Sequence, residues 1–176
     1  MKKVYAVKLN FSNNALFTEI IERIRRALPV DVEELSLAID LSPFYSEERG
    51  QHLSPGIIGG AAELTGGIEG KVLLFTDLDI YIPALTFVFG QAQLNGRHSL
   101  ISVCRLHEEF YTGRTDSGLL LGRAAKEALH ELGHNYGLIH CNNWDCVMHS
   151  SLNVEQVDIK GSAYCPLCLS EIMEKL

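Results

Sequence analysis

Long hydrophobic runs are missing from this 176-residue chain. No stretch approaches the roughly 18 to 20 apolar residues that cross a bilayer, so a membrane-spanning protein is not expected. Positive charge is also scarce, with 15 Lys and Arg against 22 Asp and Glu and a formal net charge of −7. Proteins that bind nucleic acid need cationic surface to meet phosphates, so no nucleic-acid partner is expected either. The opening run MKKVYAVKLNFSNNALF carries two lysines, but Asn and Ser interrupt it before a secretory apolar core can form. A cytoplasmic address is the resulting expectation. Internal repeats and low-complexity segments are absent. What remains is ordinary for a globular domain, 47% apolar and 21% charged, and long enough to bury a core as one unit.

Cysteine is sparse over most of the chain and crowded at its end. Of five cysteines, Cys141, Cys146, Cys165 and Cys168 fall within the last 36 residues. In a reducing compartment such crowding points to a metal site rather than a disulfide frame. Cys104 stands alone in an apolar, strand-like stretch and reads as a small buried hydrophobe.

The hydrophobic pattern predicts strands at 2–9, 30–39, 71–82, 86–93 and 98–106. Helices are predicted at about 14–28, before Pro29, at 55–65 and at 117–135. The turn residues Asn95-Gly96 join the last two strands as a hairpin. Strands alternating with helices imply an α/β sheet with one antiparallel partner at an edge. At about 100° per residue, Leu121, Ala125, Ala128 and Leu132 of the last helix fall in a sector of about 60°. His130 and His134 fall on the opposite side, so one face should pack while the other offers imidazoles to a cleft.

The chemistry is concentrated in His130-Glu131-Leu132-Gly133-His134 and its continuation to His140. Histidines four residues apart on a helix lie one turn apart and can bind one zinc ion. Glu131 is placed to act on a metal-bound water rather than on the metal. His140 is too far along for the same helical face, but Gly137 can adopt a left-handed conformation and turn the chain back. Three protein ligands leave a fourth position for water, the catalytic pattern. Chance occurrence of five fixed positions in a chain this long is on the order of one in ten thousand. Cys141, Cys146, Cys165 and Cys168, spaced C-x4-C and C-x2-C, would close a structural zinc site; the alternative is four unrelated buried cysteines. That site would fix the segment carrying His140 and pin a C-terminal lobe with too little apolar sequence for its own core.

The pattern HExxHxxGxxH at 130–140 is similar to the zinc-binding signature of metzincin metallopeptidases. HCNNWDCVM followed by CPLC resembles the archaemetzincins in particular. FVFG at 87–90, SVCRL at 102–106, and Arg123, Lys126 and Glu127 extend the resemblance upstream. It implies a twisted mixed sheet, α/β in the broad α+β sense, with a long active-site helix and a small zinc-stabilised C-terminal subdomain. Within a single domain, 1–137 would form the upper subdomain and 138–176 the lower. It also implies two Zn2+ per chain, one catalytic and one structural, and makes Met148 the methionine of the Met-turn. Some metzincins carry a tyrosine two residues after that methionine, but Ser150 stands there in this chain. His149 reads as a neighbour of the site rather than a fourth ligand.

The resulting expectation is a zinc peptidase acting on small or unfolded peptides, an aminopeptidase or small-peptide peptidase. Its substrate would add as a strand to the edge at TFVFGQAQ. A noncatalytic or latent zinc module that binds peptides is the alternative; Glu131 favours catalysis, because a binding module has no need of a general base. A zinc hydrolase of non-peptide amides stays open. Asp77 and Asp79 read as loop-capping groups, and His52, His98 and His107 lack ligand spacing.

Overall fold

The computed structural model describes all residues, 1–176. Along the chain run β1 (Lys2–Lys8), α1 (Asn14–Ala27), β2 (Val30–Glu34), β3 (Tyr45–Ser46), β4 (Gln51–Leu53) and α2 (Ser54–Leu64). β5 (Lys71–Thr76), β6 (Ile80–Tyr81), β7 (Gly90–Ala92) and β8 (His98–Ser102) follow. The chain ends with α3 (Glu109–Thr112), α4 (Ser117–Asn135), α5 (Val154–Ile159) and α6 (Pro166–Met173).

The main sheet has five strands in the order β2-β1-β5-β8-β7. All its pairs are parallel except β7 with β8, so β7 is an antiparallel edge, where the hairpin was expected. A small sheet, β3-β4-β6, lies apart from it. Val72, Leu73, Leu74 and Phe75 of β5 are fully buried, as a strand covered on both faces requires. Alternate residues feed two cores. Leu73 and Phe75 join α1 and α4 on one face, while Val72 and Leu74 meet Ile57, Ile58 and Ala61 of α2 on the other. α1 starts at Asn13, whose side chain accepts the Leu16 N–H at 2.9 Å, and closes with Arg25 and Arg26 in its last turn.

Several predicted strands are shorter than the pattern suggested. The alternation at 30–39 outlasts β2, because after the Leu35 N–H bonds the Ala6 carbonyl of β1, Leu37, Ile39 and Leu41 pack against the α2-side core outside any strand. The run 71–82 breaks after Thr76, whose hydroxyl accepts the Leu78 N–H, and the chain leaves for the small sheet. Only Gly90–Ala92 of the 86–93 run is a strand, and 98–106 ends at Ser102 with a tight turn over Cys104–Leu106. Cys104 is thus half-buried in a turn, not a buried strand residue.

α4 departs most from the two-faced expectation. Leu120, Ala124, Ala128 and Leu132 pack in the core, yet Glu127, His130 and Glu131 on other faces are also at most 5% exposed. The C-terminal segment covers the imidazole side. The helix is therefore enclosed nearly all round.

Candidate active site

Asp116 caps the start of α4 by accepting the Leu119 N–H at 2.8 Å. At the other end, the Leu138 N–H reaches the Gly133 carbonyl and the Gly137 N–H reaches the His134 carbonyl. With Gly137 at φ 88°, this is a Schellman closure, the left-handed turn the glycine predicted. It brings His140 back beside the helix. One ligand-type atom from each of His130, His134 and His140 lies within 4.8 Å of the others.

The imidazoles are oriented by main-chain carbonyls. His130 Nδ1 donates to Val147 O at 2.9 Å and His134 Nδ1 to Leu138 O at 2.7 Å. These bonds assign the ring protons to Nδ1 and leave both Nε2 atoms as acceptors, 3.1 Å apart. Two lone pairs face to face repel, and a cation between them removes the conflict. Burial lowers the proton affinity of all three rings, most strongly at His130, where Lys160 and His134 add to it. Neutral, convergent imidazoles fit a zinc ion.

Glu131 is 5% exposed and shares the cleft with the three histidines. Burial holds its proton affinity well above the usual carboxylate range; Glu127 adds to this and Lys160 opposes it. β7 passes directly over it. A Cβ at position 90 would lie 2.6 Å from Glu131 Oε1, so only glycine lets the strand come this close. The cleft measures about 480 Å3 and runs between the β7 edge and the segment Ser150–Leu152. Its rim at Phe87 is braced by Arg105, which lies 4.4 Å from that ring and forms a bidentate pair with Asp79 at 2.7 and 2.8 Å. Asp79 thus serves as a brace, and Asp77 accepts the Ser12 N–H and hydroxyl as a loop cap.

Met148 is fully buried beneath the helix and packs so closely on Gly133 that a Cβ there would collide with its sulfur. The Sγ atoms of Cys141, Cys146, Cys165 and Cys168 lie within 4.8 Å of one another, with Cys141 and Cys165 4.0 Å apart. Tetrahedral zinc with Zn–S near 2.3 Å would set sulfurs about 3.8 Å apart, so the cluster fits. The Cys168 N–H, donating to Cys165, does most to bring that thiol down to about 7. The two clusters are bonded neighbours through His140-Cys141, and the Cys141 N–H donates to Met148 O at 2.9 Å.

Other expectations resolve by geometry. His149 stacks on Trp144, with ring centroids 3.8 Å apart, outside the histidine cluster. His98 is buried and bonded to Thr65 Oγ1 at 2.7 Å. Sequence reasoning missed three participants. Asn135 ties the helix end to the hairpin through the Ser99 hydroxyl and the Gln93 and His98 carbonyls. Gly90 makes room for Glu131. Lys160, 2% exposed, enters from beyond α5 and pairs with Glu127 at 2.8 Å. A lone lysine after a short helix carries no pattern that announces this burial.

A cleft along a sheet edge, with two imidazoles and a buried glutamate on one enclosed helix and a third imidazole returned by a loop, matches the zinc-dependent metallopeptidases in class. The chain belongs to Peptidase family M54, whose model matches residues 1–174. The archaemetzincin of Methanocaldococcus jannaschii is 43% identical over 131 residues, 74% of this chain and 71% of that one. Among solved structures, archaemetzincin from Methanopyrus kandleri superposes with a TM-score of 0.84 at 31% identity, over 99% of this chain and 94% of that one. Archaemetzincin from Archaeoglobus fulgidus, complexed with malonate, gives 0.80 at 32%, over 96% and 99%.

Proposed function

We propose that His130, His134 and His140 hold the catalytic zinc, that Glu131 is the general base, and that the four cysteines hold a second, structural zinc. The observation that carries this is the convergence of three Nδ1-anchored or loop-returned imidazoles with Glu131 in one cleft. Zinc, when bound, supplies a Lewis acid that polarises a carbonyl and makes water more acidic. The protein's own groups do the rest. β7, an unpartnered edge, orients an extended peptide as an added strand. Glu131 takes a proton from the attacking water and passes it to the departing amine. The Val147 and Leu138 carbonyls keep His130 and His134 in the ligating tautomer.

In this reading 1–137 act as an upper subdomain and 138–176 as a lower one, with Met148 as the Met-turn methionine between them. With four cysteines assigned to zinc and no disulfide in the chain, a reducing, cytoplasmic setting is the matching proposal. Small peptides, taken as by an aminopeptidase or small-peptide peptidase, suit a cleft of this size. No helix is long and apolar enough to cross a membrane.

The test is zinc stoichiometry together with cleavage of an unbiased peptide library by the wild type and by Glu131→Ala. Two zinc ions per chain, with cleavage lost in the variant, is the expected result. Two zinc ions with no cleavage by either protein would instead favour a latent enzyme or peptide-binding module. One zinc or none would remove one of the two proposed metal sites.

A further inference from the structure

Parallel pairing brings cations that are distant in the chain to one end of the main sheet. Lys2 opens β1, Lys71 opens β5 and Arg97 directly precedes β8. These strands lie side by side, with Val4 opposite Lys71 and Val72 opposite His98. In a chain of net charge −7, this end of the sheet is locally cationic. A cavity of about 490 Å3 opens there, within the size range of ligand pockets. It shares no residue with the cleft that holds Glu131.

Lys71 and Arg97 are only part-buried, so both are open to a ligand. Neither has a carboxylate partner, and Lys2, exposed at the rim, has none either. The Lys71 ammonium donates to Gly96 O and Asn135 O, each at 2.8 Å, over a floor formed by the Tyr136 ring. An ammonium has three donors, so one is left. Arg97 Nε donates to Gly70 O at 3.2 Å, and Nη2 donates to the Thr65 and Ile68 carbonyls. The two N–H groups of Nη1 remain unused. Main-chain carbonyls satisfy hydrogen bonds but leave the positive charges uncompensated. Burial lowers the proton affinity of Lys71, and Lys2, Arg97 and Lys175 add to it, a crowding that an anion would relieve. Lys3 lines the same cavity but is already held by Glu33 at 2.5 Å.

The chemistry of the anion follows from charge and capacity. Lys2, Lys71 and Arg97 face one carboxylate in the cavity wall, that of the exposed Glu69. A monocarboxylate offers one charge and two oxygens, too few for donors on three side chains. A phosphate group near neutral pH carries about −1.5 to −2 in charge and at least three acceptor oxygens. Guanidinium and ammonium groups bind it well, the first by its fork and the second as a point charge. We propose that Lys2, Lys71 and Arg97 form a binding site for a phosphate group, separate from the catalytic cleft. A free phosphate ion and a phosphate ester share this chemistry.

The experiment is calorimetric titration of the zinc-loaded protein with inorganic phosphate, adenosine monophosphate and acetate at constant ionic strength. At least one of the two phosphates should bind once per chain, about tenfold or more tighter than acetate. Tighter binding of adenosine monophosphate than of inorganic phosphate makes the ligand an ester; the opposite order makes it the free ion. Lys71→Gln removes a charge while keeping a donor for one carbonyl, and should weaken binding by about tenfold or more. Lys2→Ala changes an exposed residue and should weaken it by about two- to fivefold. Glu69→Gln removes the opposing charge and should strengthen it by a similar factor. Arg97 is left in place because it holds the turn at 65–70.

A phosphate held by zinc instead would bind all three variants as it binds the wild type. That result, no binding of either phosphate, or acetate bound as tightly as phosphate overturns the proposal. Should Lys71→Gln fail to fold, the two exposed positions decide. Opposite shifts in Lys2→Ala and Glu69→Gln support the site, and unchanged affinity in both overturns it.

Discussion

The histidine and cysteine clusters meet at a single peptide bond, yet they are built by opposite means. His130 and His134 ride a 19-residue helix enclosed on nearly every side, with their rings aimed by carbonyls. Core packing around α4 and the two carbonyl bonds fix where these rings point. Cys141 and Cys146 sit in a loop, Cys165 is the N-cap of an eight-residue helix, and Cys168 lies in its first turn. There a few main-chain bonds, such as Val147 N–H to Ala163 O and Gly161 N–H to Trp144 O, hold the approach. The difference teaches that His130 and His134 are set by a helix inside the core, whereas the cysteines come from short segments at its margin, two buried and two half-buried, and depend more on what the thiols bind.

That contrast can be broken most sharply at Glu131. Glu131→Gln should lower kcat/KM by about a thousandfold, within the range for losing a general base, while metal content measured by atomic absorption stays unchanged. Survival of most activity would dissociate the enclosed helix from the chemistry. Next in size is Cys165→Ser, expected to cost several kcal/mol in denaturant unfolding through loss of one metal ion per chain. His140→Ala should also lose one ion per chain but leave the unfolding midpoint nearly in place. If His140→Ala destabilises as much as Cys165→Ser, the proposed division between prepared and dependent clusters is wrong.

Smaller effects sharpen the picture of the cleft. Gly90→Ala places a methyl 2.6 Å from Glu131 Oε1 and should reduce kcat about tenfold or more, since small misplacements of reacting groups are costly. Unaltered kcat would mean that β7 can move away. Met148→Leu should cost about 1 kcal/mol or less in thermal unfolding, as a swap that nearly conserves volume. A larger loss would show the thioether to be specifically required against Gly133.

Much of this was legible in the chain because its strongest signals are local. The spacing of His130, His134 and His140, with Gly137 between, led to the convergence seen, since helical pitch and a left-handed glycine act over a few residues. The antiparallel edge also followed, from the turn at Asn95-Gly96, whereas the strand order, which only tertiary packing sets, did not. Strand lengths did not either. Leu35 to Leu41 alternate because a loop lies on a core, and period two cannot distinguish that from pairing. Nor did Lys160 show itself, because its burial depends on Glu127 33 residues earlier, a relation that only tertiary packing creates.

The enclosure of α4 has a consequence for how the molecule breathes. From Arg123 onward the helix is walled by the sheet, α1 and the C-terminal segment, so this part has little freedom to open by itself. Amide protons from Ala128 to Gly133 should therefore exchange with deuterium only when the entire domain unfolds. Those of the exposed stretch at 109–117 should exchange within the earliest times, long before the helix they precede. The slowest clock in the protein would then be set at the residues proposed to carry its chemistry.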